Sequence, residues 1–328
     1  MTNTPDDKIL YGKALWQQVE TITGSAKACG ALKTIPTHCE TREVYCRGGK
    51  CSERKSSDST ISFQVRIVEN LTRKSKDVQQ RAKQEPDTKD FNKRLFNPFL
   101  PHEPALYVGE LTDHYRCLLN KFNVMDHHIL MVTSRFEPQQ TPLDIEDFLA
   151  AQICLQAQNG LVFYNSGPVA GASVEHKHLQ MIPLPQAHTA IGTFPFDGLL
   201  SSASVADNPT ETALPFSHRV VTTETIATEF SSMNPIEALK ETAERNHKNY
   251  HRLLTDLKLS SGSDGRMPPH NMLMTRDYLW VIPRRKSSHE GLAVNALGFA
   301  GMLLVRDKNQ LGQLDRIGCL ELLKAVTR

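Results

Sequence analysis

The stretch His176-Lys177-His178-Leu179-Gln180 follows directly on a loop of small residues, Asn165-Ser166-Gly167-Pro168-Val169-Ala170-Gly171-Ala172-Ser173-Val174-Glu175. In a strand, the two-residue period sends His176, His178 and Gln180 to one face and Lys177, Leu179 and Met181 to the other. One face of a sheet then carries three polar groups at the end of a glycine-containing loop. Such a loop can turn successive backbone N–H groups inward to hold phosphate oxygens, because no side chain blocks their approach. The predicted arrangement is a phosphate cradle feeding a histidine nucleophile.

The bulk composition narrows the alternatives. A chain of 328 residues buries a substantial core, and a formal net charge of +2 supplies no field suited to nucleic acid. No apolar run reaches the roughly 20 residues needed to cross a bilayer, and residues 1–8 lack a basic segment leading into an apolar one. The expectation is a cytoplasmic enzyme or binding protein, with neither nucleic acid nor membrane as partner. Seven cysteines, an odd number, point to free thiols rather than a disulfide framework. Cys39, Cys46 and Cys51, with His38 beside them, offer zinc donors, but Cys46 and Cys51 are too widely spaced and no second close pair follows. No metal ligand set is predicted. Cys117, Cys154 and Cys319 sit in apolar or helical surroundings and are expected to fill core.

Along the chain, a helix is predicted near residues 10–22, followed by a polar, cysteine-containing stretch running through 47–58 that is expected to be exposed and mobile. Ile61-Ser62-Phe63-Gln64-Val65-Arg66-Ile67-Val68 alternates as a half-buried strand. Charge dominates 73–94, which reads as a solvated segment with Lys74 kept as a site candidate. Strands are predicted at 105–111, within 124–133 and at 161–164, and helices at 144–158 and 235–257. Residues 201–212 read as a surface excursion, and 271–285 as a hairpin turning at Arg276-Asp277. Residues 295–305 and a terminal helix through Leu323 complete the chain. Mixed order with few regular βαβ units gives an α+β fold. The expected division is an N-terminal extension, 1–60, and a catalytic unit, 61–328, whose halves are 61–220 with the motif and 221–328 completing the pocket.

Residues 165–180 resemble the active-site signature of the histidine-triad superfamily, in the transferase branch where glutamine replaces the third histidine. The segments Leu118-Leu119-Asn120-Lys121-Phe122-Asn123-Val124, His128-Ile129-Leu130-Met131-Val132-Thr133, Val162-Phe163-Tyr164-Asn165 and Asn271-Met272-Leu273-Met274-Thr275 with Trp280-Val281-Ile282-Pro283-Arg284 resemble the diadenosine tetraphosphate phosphorylases, or ATP adenylyltransferases. The resemblance implies a histidine-triad-like antiparallel sheet with helices packed on it. It also implies a reaction in which diadenosine tetraphosphate and inorganic phosphate give ATP and ADP through a nucleotidyl-histidine. A divalent cation such as magnesium would accompany the nucleotide; no residue pattern marks its site.

The residue chemistry agrees. A neutral imidazole attacks phosphorus well and splits one displacement into two. His178 is the expected nucleophile, with one ring nitrogen donating to a nearby backbone carbonyl, and His176 an orienting neighbour. Gln180 can donate a neutral hydrogen bond to phosphoryl oxygen without handing over a proton, which suits a polyphosphate leaving group. Gly171, Ala172 and Ser173 are expected to cradle phosphate. The resemblance adds Lys74, Asn120, Lys121, Asn165, Asn271, Thr275, Arg276 and Arg284 as nucleotide contacts. Asn271 reads equally as a turn cap, Arg276 as a turn decoration and Lys74 and Lys121 as solvated lysines, while His127 and His128 read as core or edge histidines, with zinc ligation a lesser alternative. Related uridylyltransferases commonly carry proline between the histidines and an upstream Cys-x-x-Cys. Lys177 and the absence of that motif rank a hexose-1-phosphate uridylyltransferase second, with a non-catalytic nucleotide sensor as a third reading. Oligomeric state is left open.

Overall fold

The computed structural model describes residues 9–47, 50–52, 59–68, 97–184, 214–223 and 235–328, with the backbone alone at 45–47, 50–52, 59 and 60. Lys74, the charged segment 73–94, the excursion 201–212 and most of 47–58 lie outside the described residues.

An eight-stranded sheet organises the molecule. Its strands are β4 (Tyr107–Glu110), β5 (Tyr115–Leu119), β6 (Ile129–Thr133), β7 (Gly160–Asn165), β8 (His178–Pro183), β9 (Arg219–Thr222), β10 (His270–Met274) and β11 (Tyr278–Pro283). They run in the order β4-β5-β6-β8-β7-β10-β11-β9, every neighbour antiparallel. A four-stranded sheet lies beyond it, built from β1 (His38–Arg47), β2 (Lys50–Ser52), β3 (Ser59–Ile67) and β14 (Met302–Val305), with β14 parallel to β3. A short hairpin pairs β12 (Ser288–His289) with β13 (Leu292–Ala293). The α+β class read from the sequence is the class observed.

The large sheet is covered differently on its two faces. On one, Cys117, Met131, Leu179, Met181, Val162, Met272 and Val281 pack against α1 (Gly12–Ala28), α2 (Ile145–Ala157) and α3 (Pro235–Asp256). The outer helices each supply an apolar stripe at helical spacing, Leu15, Val19 and Ala26 in α1 and Leu239, Ala243, Tyr250 and Leu254 in α3, whereas α2 is buried on nearly every side, from Phe148 to Leu155. On the other face, Leu161, Phe163, Ile182, Leu273, Trp280 and Ile282 meet β3. They also meet α4 (Ala296–Phe299), α5 (Lys308–Ile317) and α6 (Cys319–Val326). That second cover stops short of β5, β6 and the start of β8, where Phe99, Leu118, Leu130 and Val132 form a small cluster of their own.

One sequence reading is corrected here. The polar residues after α1 include a ten-residue strand, β1, rather than only a loop. Its residues pair with β3 along nearly their whole length, and Arg42 is held to Asp315 of α5 at 2.6 Å. The strand is specified by its partners, because only Val44 of its described side chains is buried, so its own pattern carried little signal. Cys117, Cys154 and Cys319 are buried free thiols, as expected of core fillers.

Candidate active site

Strand pairing places the motif at the boundary of the two covers. In β8, Leu179 and Met181 enter the helix-side core, while His178 lies opposite Val132 of β6 and Gln180 opposite Leu130 and Phe163. The alternation expected from the sequence therefore holds, although the strand begins at His178, and His176 makes only an isolated bridge to Pro138.

His178 is fixed from three sides. Its Nδ1 donates to the carbonyl of His176 at 2.8 Å, which sets the tautomer and leaves Nε2 unprotonated. The side chain of Gln139 accepts from the backbone N–H of His178 at 2.9 Å. The same amide donates to the carbonyls of His178 at 3.1 Å and Asn165 at 2.9 Å. Phe99 lies edge-on to the rings of both His178 and His176, at 5.3 and 5.6 Å between centroids. The His176 ring is itself locked. Asn97 accepts from the Phe99 N–H, so its amide nitrogen faces His176 Nδ1 at 2.9 Å, and His176 Nε2 donates to the Thr133 carbonyl at 3.0 Å. Burial pushes the His176 imidazole below its ordinary pKa, so the ring is neutral near pH 7. His176 thus orients His178 through its carbonyl.

Gln180 meets His128, one of the two histidines expected as core or edge. Its Oε1 lies 3.0 Å from His128 Nε2, and His128 Nδ1 lies 3.1 Å from the Asn120 amide nitrogen. Asn120, expected as a nucleotide contact, is thus joined to Gln180 through an imidazole. Lys121, next in sequence, donates to Glu103 at 2.6 Å, so a carboxylate already offsets its charge.

The glycine loop is rigid and braced from behind. Gly171 has φ +100, and a Cβ there would come within 2.7 Å of Asn295 Cβ, so this turn requires glycine. Two donors of the expected cradle are paired within the loop. The N–H of Gly171 donates to Pro168 and that of Ala172 to Gly167, both at 3.0 Å, because closing the tight turn Pro168–Ala170 consumes these donors. Ser173 is exposed at the rim of the loop.

Asn165, Asn271 and Arg284, expected as nucleotide contacts, form a hydrogen-bonded brace behind the loop. Asn165 and Asn271 face each other across β7 and β10, and Asn271 donates to Asn165 Oδ1 at 2.8 Å and to the Ala170 carbonyl at 2.9 Å. Arg284, fully buried, donates to Asn271 Oδ1 at 2.6 Å and to the carbonyls of Ala170, Lys286 and Val294. Asn165 Oδ1 takes the Ala296 N–H as well, which ties the loop to the start of α4. These side chains are spent on one another because interior polar groups must be paired. Thr275 and Arg276 stand at the far end of β10 from Asn271. Thr275 Oγ1 accepts from the N–H groups of Asp277 and Tyr278 within the predicted hairpin turn. Arg276 donates to the carbonyls of Leu155 and Gln156, closing the C-terminal end of α2.

The comparisons with known proteins decide the family. The chain matches the family model described as Ap4A phosphorylase N-terminal domain over residues 5–202, and the one described as ATP adenylyltransferase C-terminal domain over residues 212–328. It belongs to the Ap4A phosphorylase family. Among curated relatives, diadenosine 5',5'''-P1,P4-tetraphosphate phosphorylase 2 of Saccharomyces cerevisiae is 27% identical over 320 residues, covering 88% of this chain and 86% of that protein. Protein APA1 of the same yeast is 29% identical over 213 residues, covering 59% of this chain and 62% of its own. In solved structures, yeast Ap4A phosphorylase Apa2 superposes with a TM-score of 0.69 at 23% identity, over 97% of this chain and 95% of that one. Apa2 in complex with Ap4A gives a TM-score of 0.66 at 22% identity, over 97% and 98% of the two chains. The fold is that of this family.

Lys177, between the two histidines, turns to the opposite face. Its ammonium is buried and donates to the fully buried Asp147 carboxylate at 2.6 Å, with Glu137 at 3.5 Å. Asp147 also accepts from the Tyr115 hydroxyl and from the Asp144 N–H, at 2.7 Å, in the capping box that opens α2. Burial pushes the Asp147 carboxyl up to about 7 against the pull of Lys177. The Lys177 ammonium rises on balance, its burial outweighed by Asp147 and the neighbouring carboxylates. Lys177 is thus an anchor of the strand. No group of three or more metal-ligating side chains gathers among the described residues, and none of their helices is long and apolar enough to cross a membrane.

Proposed function

We propose that this chain phosphorolyses diadenosine tetraphosphate to ATP and ADP through an adenylyl group carried on His178. One observation carries the reading: His178 directs its N–H at the His176 carbonyl, so its other nitrogen holds the lone pair, beside a rigid glycine loop. Membership of the Ap4A phosphorylase family supports the choice of substrate. His178 Nε2 attacks the α-phosphorus, a P–N bond forms, the P–O bond to the triphosphate breaks, and ATP leaves with that electron pair. Inorganic phosphate then attacks the same phosphorus, the P–N bond breaks, and ADP leaves. Gln180 donates to a phosphoryl oxygen as negative charge shifts, and Ser173 faces the phosphate chain from the loop rim. A divalent cation enters with the nucleotide as part of the substrate and spreads its charge.

The test is incubation of the protein with diadenosine tetraphosphate, with and without phosphate. Phosphate-dependent appearance of ATP and ADP in equal amounts is the expected result. Dinucleotide bound but unchanged would replace this reading with a nucleotide sensor, and turnover of UDP-glucose with galactose-1-phosphate would replace it with uridylyl transfer.

A further inference from the structure

The direction of a hydrogen-bond chain through His128 follows from a backbone group that can only donate. The N–H of Phe122 lies 3.3 Å from the Asn120 side-chain oxygen, so the Asn120 amide nitrogen must face the other way. There it meets His128, 3.1 Å from Nδ1 and 3.4 Å from Nε2. Nδ1 is the nearer of the two to that donor, and Nε2 has the Gln180 oxygen to donate to, so Nδ1 is assigned as the acceptor and the proton of the neutral ring is placed on Nε2. Nε2–H then points at Gln180 Oε1, 3.0 Å away. With its oxygen taken, Gln180 keeps both amide protons for whatever lies on the other side. Reversing the chain would set the Asn120 amide protons against the Phe122 N–H, donor against donor. Amide orientation is thus fixed by the network rather than by the shape of the side chain.

Resting on the adenylyl-transfer reading, we propose that His128 is a positioning residue that holds the Gln180 amide with its protons facing the phosphoryl group. A glutamine in place of a general acid has one weakness. Its two ends are nearly equal in size, and a flipped amide would present oxygen to a negatively charged phosphoryl group, repelling it. The Phe122, Asn120, His128 and Gln180 chain removes that option before substrate arrives, which is the preorganisation that makes a neutral donor effective. The same arrangement recurs on the neighbouring histidine, where the Phe99 N–H orients Asn97 and Asn97 orients His176. In both, a backbone N–H is read out through an asparagine into the tautomer of an imidazole.

Two measurements on the full chain test this. In protein labelled with nitrogen-15 at histidine, His128 should carry its proton on Nε2 and His178 on Nδ1, opposite tautomers assigned by their loss in H128L and H178A. This readout needs no substrate. In steady-state assays, His128→Leu should lower kcat by about 10–100-fold, part of what one transition-state donor contributes, with KM changed by less than about threefold. His128→Gln, whose amide nitrogen can replace Nε2–H, should recover most of the loss. In a Gln180→Leu background, His128→Leu should add almost nothing. A proton on Nδ1 of His128, unchanged kcat in H128L beside an impaired Q180L, or losses that multiply in the double variant would overturn the proposal. If the wild type fails to turn over the dinucleotide, the substrate reading falls and the tautomer alone decides the relay.

Discussion

Lys177 and His178 are adjacent, buried and polar, yet they belong to different machines. The Lys177 ammonium enters the helix-covered face and is matched by Asp147, with Tyr115 and the Asp144 N–H saturating the carboxylate. His178 enters the other face, where the His176 carbonyl, Gln139 and the edge of Phe99 are among the groups that hold it. One residue spends its charge on protein so that its neighbour can be held still with a nitrogen lone pair in hand. The same division separates the two ends of β10. Asn271 braces the glycine loop at the site end, while Thr275 and Arg276 fasten a hairpin to a helix terminus at the other.

The sharpest way to break this comparison is Lys177→Met. It leaves the Asp147 carboxylate buried without its cation, and stability should fall by about 3–5 kcal/mol in urea denaturation. The double variant K177M/D147L should regain most of that loss. A K177M protein of wild-type stability but altered substrate KM would put Lys177 in the site instead.

Acid acts on both faces. Burial pushes His270 on the helix side and His218 on the other down to about 4, from an ordinary value of 6.5. Between these values the unfolded chain binds protons that the native one does not, so stability falls as pH drops from about 6.5 towards 4. Each histidine contributes about 3 kcal/mol when the drop is complete. Urea midpoints measured from pH 7 to pH 4 check the direction, and His270→Gln should flatten the profile. Gly171→Ala comes next, at about 1–3 kcal/mol, since the new Cβ meets Asn295 and the backbone lies at positive φ. Activity should fall with stability, because the loop is part of the site. Arg276→Ala is the smallest, costing about 1 kcal/mol by thermal melting and leaving KM for the nucleotide unchanged. A raised KM in that variant would return Arg276 to the pocket.

Strong periodicity made much of this legible from the sequence. The alternation of residues 176–181, the apolar stripe of α3 and the hairpin turn at Arg276-Asp277 were all readable, because each is a local consequence of side-chain spacing. The motif also pointed to His178 and its carbonyl partner. Strand β1 was not readable, since its partners rather than its own residues specify it. Gln139 was missed because a glutamine in irregular chain carries no period, and its clamp on His178 exists only once residues 39 positions apart are brought together. Asn165, Asn271 and Arg284 had the chemistry of ligand contacts. Spacing alone does not reveal that they are spent on each other.

The central claim is that His178 carries the adenylyl group. Intact-mass and peptide mass spectrometry of the protein mixed with diadenosine tetraphosphate in the absence of phosphate addresses it directly. The expected result is one adenylyl group per chain on the peptide containing His178, discharged as ADP when phosphate is added and absent from H178A. An adduct on another residue, or full phosphorolysis by H178A, would contradict the account.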